Sequence, residues 1–152
     1  MTEPNEALLS PCGLYCGVCA VFIAHRDGNE KFKQGLAKFY GVEPDQVRCE
    51  GCRGPEEILF SYCRTCPIRS CATEKGLDGC HRCAEFPCAH IAAVELPVGK
   101  QVMLRAVPRR REIGDRRWAR EEEERYRCPA CSKPLFRGAR RCRNCGTDVD
   151  LD

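Results

Sequence analysis

Apolar residues recur at helical spacing in one stretch of the N-terminal half. Phe32, Leu36, Phe39 and Tyr40 occupy positions i, i+4, i+7 and i+8, which places them on one face of a helix. Gly41 follows directly, and glycine commonly ends helices because it adopts left-handed backbone angles without strain. The pattern therefore predicts an amphipathic helix over residues 29–41.

Helix end signals predict two shorter helices further along the chain. Residues 67–75 begin with a proline and precede Gly76, and residues 88–95 precede Pro97. Strand-like alternation is weak, and the candidates for short paired strands are two tail segments, residues 134–137 and 149–151. The pattern predicts a mostly helical front and a tail with a little β-structure.

An arginine- and glutamate-rich stretch, residues 115–127, has the composition of a further helix. Oppositely charged side chains stand four residues apart, as Glu121 does from Arg117 and from Arg125, and such pairs stabilise a helix in water. The run of glutamates from Glu121 to Glu124 predicts a solvated linker helix, with Trp118 fixing one side. An arginine-rich binding arm is the alternative interpretation.

The composition indicates that an apolar core alone does not hold this chain. Leu, Ile, Val and Phe supply about one fifth of the 152 residues, close to the fraction below which burial fails to offset ordering entropy, whereas cysteine supplies 15. Most cysteines lie at a spacing suited to binding one ion, and an odd number cannot pair fully as disulfides. The first six residues do not resemble a secretory signal. We therefore expect bound metal, a reducing compartment and a cytoplasmic location.

The last four cysteines give the strongest metal signal. Cys128 and Cys131 are separated by two residues, as are Cys142 and Cys145. Two such pairs complete the tetrahedral four-thiolate shell that structural zinc prefers, and Gly146 suits the turn behind the second pair. The stretch resembles the small zinc-ribbon modules at the ends of many prokaryotic proteins, which implies zinc but no particular task.

The front of the chain holds eleven cysteines, which do not divide into groups of four. We expect one four-thiolate site from Cys16, Cys19, Cys49 and Cys52, and another from Cys63, Cys66, Cys80 and Cys83. Three cysteines then remain for a third site completed by a histidine, or as free thiols: Cys12, Cys71 and Cys88. The candidate histidines are His25, His81 and His90.

The order of these motifs resembles a family of uncharacterised cysteine-rich proteins, domain of unknown function 3795. The resemblance covers residues 11–91 and rests on four motifs in sequence, CGLYCGVC, CEGCRG, YCRTCPIRSCATEKGL and CHRCAEFPC. It implies a small domain that binds metal, with zinc as the expected ion, and no established biochemical role.

Together these patterns predict a small, metal-stabilised fold in three segments. Residues 8–96 would form a cysteine-rich zinc-binding domain of helix and loop, residues 97–126 a helical Arg/Glu-rich linker, and residues 127–152 a zinc ribbon with short β-strands. Fifteen thiols in groups of four correspond to about three Zn²⁺ ions.

Iron–sulfur or thiol redox chemistry is the alternative to structural zinc. Cys12, Cys16 and Cys19 have the CxxxCxxC spacing that holds some [4Fe–4S] clusters, and thiolates accept either metal. Radical enzymes with this spacing need alternating strands and helices, which the pattern lacks. There is no phosphate-binding loop, nucleophile elbow or metalloprotease helix motif. We therefore expect a binding function, with no catalytic residues.

A protein partner is the expected target, with nucleic acid as a second hypothesis. The basic side chains that would contact nucleic acid are Arg109, Arg110, Arg111, Lys133, Arg137, Arg140, Arg141 and Arg143. Four thiolates around one Zn²⁺ carry a net charge of −2, so the formal +3 overstates the positive charge of the loaded protein. The longest apolar run, Val18 to Ala24, is far shorter than the about 20 residues of a membrane span.

Overall fold

The computed structural model describes residues 3–152 and is mostly helical. Several single 3₁₀ turns, most of them in the cysteine-rich front, accompany seven α-helices among the described residues. The helices are α1 (Ala20–Asp27), α2 (Glu30–Tyr40), α3 (Ser61–Arg64), α4 (Pro67–Glu74), α5 (Ala89–Ala92), α6 (Pro97–Ile113) and α7 (Asp115–Arg125).

The amphipathic helix predicted in the front is α2, with ends set by its capping residues. The Asn29 side chain accepts a hydrogen bond from the Phe32 amide, and Gly41 ends the helix at φ 68°. Phe32, Leu36 and Tyr40 pack against the core as predicted. Phe39 does not, because its side chain is 72% exposed.

The two short predicted helices form at the expected places. Proline at the first position of α4 has no amide to leave unpaired, which suits a helix start. Helix α5 is shorter than the predicted residues 88–95, with Cys88 as its N-cap. Both helices therefore place a cysteine at or next to their first turn, since Cys66 precedes α4.

Helices α6 and α7 replace the predicted solvated linker with packed structure. Gly114 separates them at φ 81°, and Trp118 of α7 is completely buried. Glu122 is buried as well, and its carboxylate accepts a hydrogen bond of 2.7 Å from Arg105 on α6. The expectation that the glutamate run is solvated is therefore wrong at Glu122, because one face of α7 is pressed against α6.

The β-strands predicted for the tail are absent among the described residues. Residues 134–137 and 149–151 do not pair with each other; the tail has two isolated antiparallel bridges instead, Arg127 with Pro134 and Arg141 with Asp148. Each bridge lies within its own cysteine hairpin. Pro134 has no amide to extend its ladder, and each hairpin turns at once into metal-site loops, so neither bridge grows into a strand.

Residues 3–152 form three buried cores, and the first joins all three segments predicted from composition. Leu9 and Val18 of the front, Trp118 of α7, and Leu135 and Val149 of the tail belong to one buried cluster. The second core lies between α1, α2 and the loop before α3, and the third lies around α4, α5 and Met103. The tail therefore lies against the front and the helices rather than apart from them.

Within residues 3–152, no helix has the length and apolar character that a membrane span requires.

Candidate metal centres

The four tail cysteines converge on one point. The sulfurs of Cys128, Cys131, Cys142 and Cys145 all lie within 4.8 Å of one another. Cys128 Sγ is 3.6 Å from Cys145 Sγ, and Cys131 Sγ is 3.7 Å from Cys142 Sγ. A tetrahedron of Zn–S bonds near 2.3 Å requires sulfurs about 3.8 Å apart. The four thiols are therefore spaced for a single tetrahedral ion and are too far apart to be disulfides.

Two equivalent backbone turns hold these sulfurs. In the first turn, the Cys128 amide donates to Lys133 O at 2.9 Å and the Ser132 amide donates to Cys128 O at 2.8 Å. In the second turn, the Cys142 amide donates to Thr147 O at 2.9 Å and the Gly146 amide donates to Cys142 O at 3.0 Å. The residue after each second cysteine has positive φ, 63° at Ser132 and 77° at Gly146. The two pairs of cysteines are thus presented by the same local geometry.

Hydrogen bonds to sulfur favour the thiolate form at part of this cluster. Thr147 Oγ1 lies 3.2 Å from Cys145 Sγ, and this side chain, followed by the Thr147 amide, lowers the pKa of Cys145 to about 6. Backbone hydrogen bonds from Cys145 and Asn144 place the pKa of Cys142 below its ordinary value. Thiolates are the metal-binding form of cysteine, so these contacts favour metal binding at Cys142 and Cys145. At Cys128, the backbone hydrogen bond from Cys131 lowers the pKa, but burial and the neighbouring thiols outweigh it and raise the pKa to about 11.

Three front cysteines lie in or against the second core, and two more are joined by a hydrogen bond. Cys19, Cys49 and Cys63 all pack in it, and the Cys52 amide donates a 3.3 Å hydrogen bond to Cys16 Sγ. Burial, followed by the negative charge of neighbouring thiolates including those of Cys19, Cys52 and Cys49, raises the pKa of Cys63. The hydrogen bond from the Cys52 amide links Cys16 to the turn that holds Cys49 and Cys52, and Cys63, which spacing assigns to another site, packs against the same core as Cys19 and Cys49.

Four other front cysteines line a small cavity beside α4. These are Cys71, Cys80, Cys83 and Cys88. Burial, followed by the negative charges of neighbouring thiolates, first that of Cys12 and then those of Cys88, Cys83 and Cys71, raises the pKa of Cys80 to about 12. Cys80 and Cys83 thus line the same cavity as two cysteines left over in the sequence-based grouping, whereas Cys63 packs against the second core.

Cys12 and Cys66 lie between these two groups. Both pack against the third core together with Cys80 and Cys88. Cys12 Sγ is 3.5 Å from the hydroxyl of Ser10, a residue that is 2% exposed. Neither cysteine belongs to a set of four converging sulfurs in the part of the chain that the structure describes.

The histidines occupy three different settings. His25 is partly exposed, with Nε2 3.9 Å from the carboxylate of Glu50. His81 is 4% exposed, and burial, followed by the charge of Arg110, lowers its pKa to about 4, so its ring is neutral near pH 7. His90 lines the cavity beside α4.

Arg137 contacts the front of the chain near its thiols, whereas the sequence suggested it only as a contact for nucleic acid. Its amide donates to Val18 O at 2.8 Å and its guanidinium to Tyr15 O at 3.0 Å. Burial alone lowers the pKa of Arg137, but the negative charges of Cys19 and Cys16 outweigh burial and raise it. The partners are more than 100 residues apart in the chain, so no local motif signals this contact.

Most of the arginines considered for nucleic-acid binding make contacts within the protein. Arg110 is 1% exposed, Arg109 pairs with Glu121 at 2.8 Å, and Arg143 stacks over the Phe32 ring at 4.0 Å. Arg111 donates to the carbonyls of His81 and Cys83, Arg141 donates to Gly146 O, and Arg137 contacts the front. Five of the eight side chains are nevertheless exposed: Arg111, Lys133, Arg140, Arg141 and Arg143.

Comparison with known proteins agrees with the cysteine pattern of the front. No curated protein and no solved structure shows a significant match to the chain. One family model, described as a protein of unknown function (DUF3795), matches residues 8–93, which is more than half of the chain. The chain therefore belongs to the DUF3795 family.

Proposed function

We propose that this protein is a zinc-binding interaction module whose metal ions are structural. The observation that carries the proposal is the set of four tail sulfurs within 4.8 Å of one another, held by two equivalent turns. A four-thiolate tetrahedron is the usual shell of structural zinc, and it leaves no open position for a substrate or water. The ion would close the tail hairpins and hold them against the front.

Elemental analysis and the visible spectrum of the purified protein test the identity of the metal. Protein purified without oxygen should contain zinc, show no visible absorption and lose tail structure when the zinc is chelated. Cys128→Ser should lose about one zinc ion per chain and the dispersed amide signals of residues 127–152, while Arg127→Ser, an exposed change beside it, should keep both. Retention of the tail fold and of the full metal content in Cys128→Ser would contradict a structural zinc site. A brown protein that contains iron and sulfide would favour the redox alternative instead.

A protein is the partner that the surface favours. Phe39 and Tyr62 are 72% and 58% exposed, and both rings contact Tyr40, with centroid distances of 5.0 Å and 5.9 Å. Clustered exposed aromatic rings are typical of protein interfaces. Nucleic acid is the second candidate, because three of the arginines that would bind phosphate, Arg109, Arg110 and Arg137, donate hydrogen bonds within the chain instead.

A photo-crosslinking amino acid placed at Phe39 in cells distinguishes these partners. The expected product is one discrete protein adduct that disappears when Tyr62→Ser is added, and the same probe at the exposed Gln34 of α2 should not form it. Adducts to nucleic acid, or a protein adduct that survives Tyr62→Ser, would speak against this interface.

A further inference from the structure

A small cavity between α4 and the loop that leads to α5 is lined by four cysteines. It has a volume of about 20 Å³, and its sulfur-bearing walls come from Cys71, Cys80, Cys83 and Cys88. A volume of this size holds about one water-sized sphere. Apolar side chains such as Ile68 and Phe86 form much of the remaining wall.

The four sulfurs reach the cavity from three separate elements. Cys71 is on α4, Cys80 and Cys83 stand at the start and the end of one 3₁₀ turn, and Cys88 is the N-cap of α5. The Cys80–Cys83 spacing is that of the tail pairs, and the Cys83 amide donates to Cys80 O at 3.1 Å. An ion held here would fasten α4, the turn and α5 together.

The backbone of this turn is fixed against the front of the chain. The Cys80 amide donates to Pro11 O at 2.8 Å. Gly79 allows this approach, since a Cβ there would lie 3.0 Å from Pro11 O and 2.9 Å from the His81 ring. The two sulfurs of the turn are therefore presented by a backbone that has little room to move.

Positive groups surround one side of the four thiols. Lys75 Nζ is 3.6 Å from Cys83 Sγ, and Arg111 donates to His81 O at 2.9 Å and to Cys83 O at 3.0 Å. Four thiolates and one divalent ion leave a net charge of −2, part of which Arg111 would offset, whereas Lys75 also pairs with the carboxylate of Glu85.

The cavity size selects the kind of metal. Four sulfur ligands suit zinc or an iron–sulfur cluster. A space for one water-sized sphere accepts a single ion but not four irons with four sulfides. Within residues 3–152, the tail set is the one group of three or more His, Cys, Asp or Glu side chains whose ligand atoms all lie within 4.8 Å of one another. No three of the cavity sulfurs lie that close, so an ion in this cavity would have to draw the side chains inward.

We infer that Cys71, Cys80, Cys83 and Cys88 form a second, mononuclear zinc site that joins α4 to α5. The inference deepens the proposed zinc-binding function by locating an ion in the front, and it does not depend on the tail site. It departs from the grouping that spacing alone favoured, in which Cys63 and Cys66 accompany Cys80 and Cys83.

Metal content of the full chain tests which cysteines share the ion. Cys80→Ser and Cys88→Ser should each lose about one zinc ion, and the double variant should lose the same single ion. Cys80→Ser combined with Cys128→Ser should lose two. The control is His90→Ala: His90 lines the same cavity but has no sulfur, so this variant should keep all its zinc. If Cys88→Ser keeps full zinc while His90→Ala or Cys63→Ser empties the Cys80 site, the assignment is wrong.

Thiol alkylation of the unmodified chain gives an answer even where a variant fails to fold. In zinc-loaded protein, Cys71, Cys80, Cys83 and Cys88 should resist alkylation and become reactive together as a chelator is raised. One member reacting at full zinc while the others stay protected would overturn the four-thiolate set. The alkylation of Cys128 and Cys145, measured on separate peptides in the same experiment, tests the tail site. The two zinc sites can therefore be confirmed or rejected independently of each other.

Discussion

At the scale of single residues, the helical segment depends on buried charge as well as apolar packing. Arg110 is 1% exposed and donates to Asp115 at 2.6 Å and to Ser10 O at 2.6 Å, and its guanidinium lies 4.5 Å above the Trp118 ring. Burial alone raises the pKa of Asp115, but the hydrogen bond and charge of Arg110 outweigh it and leave that pKa below its ordinary value. The stability from this pair is therefore present above the ordinary carboxyl pKa and is lost as the pH falls through the lowered one.

Replacing this arginine should destabilise the protein clearly at pH 7. Arg110→Leu removes both hydrogen bonds and leaves Asp115 and Ser10 O without their donor, so we expect a loss of about 2 kcal/mol in the free energy of unfolding. Arg120→Leu is the control, because Arg120 pairs with Glu124 at 61% and 60% exposure and should change stability by less than about 0.5 kcal/mol. Urea unfolding at a fixed free zinc concentration measures both, and equal effects would contradict the buried role of Arg110.

At the scale of elements, short turns position most of the thiols. The Cys49–Cys52 turn is the tightest, because Gly51 has φ 109° and a Cβ there would lie 2.2 Å from Ala7 O. This approach also places the Arg53 amide 3.1 Å from Ala7 O. The turn can therefore pack against the first residues of the fold only if residue 51 is glycine.

Two glycine substitutions separate this constraint from ordinary helix propensity. Gly51→Ala should cost at least about 2 kcal/mol, because the methyl group meets backbone rather than a flexible side chain. Gly35→Ala lies inside α2 with nothing within 4 Å of the added Cβ, so it should stabilise by about 0.5–1 kcal/mol. Urea unfolding compares them, and a neutral Gly51→Ala would show that the turn relaxes.

At the scale of the whole molecule, the tail and the front form one packed unit. Phe136 of the tail contacts Phe32 of α2 with ring centroids 5.3 Å apart, and Arg137 reaches Tyr15. Leu135 is 3% exposed in the same core as Trp118. Loss of structure in the tail should therefore change the environment of Trp118, the buried tryptophan of α7.

A core substitution in the tail tests this connection. Leu135→Ala should lower the free energy of unfolding by about 3 kcal/mol, because it leaves a cavity in the shared core, and Leu104→Ala, at 45% exposure, should cost far less. Fluorescence of Trp118, the one tryptophan in the chain, and helical circular dichroism should report a single urea transition in both variants. Separate transitions would mean that the segments unfold independently.

The sequence by itself determined the features that depend on neighbours a few residues apart. The convergence of the four tail cysteines, the ends of α2 at Asn29 and Gly41, and the start of α4 at Pro67 all follow from spacing and backbone preference. The interactions that form a CxxC turn, a helix cap or a helix face are all between residues close together in the sequence, so the sequence alone can predict them.

Only the tertiary structure decided how distant segments meet. The shared cavity of Cys71 and Cys88, the pairing of Arg105 with the buried Glu122 and the contact of Arg137 with Tyr15 join residues 17 to 122 positions apart. Equal spacing makes every CxxC pair equivalent in the sequence, and charge alone does not show whether an arginine faces water or a carbonyl. Packing distinguishes these pairs and arginines, because only some of the thiols and charged groups can lie next to one another in the folded chain.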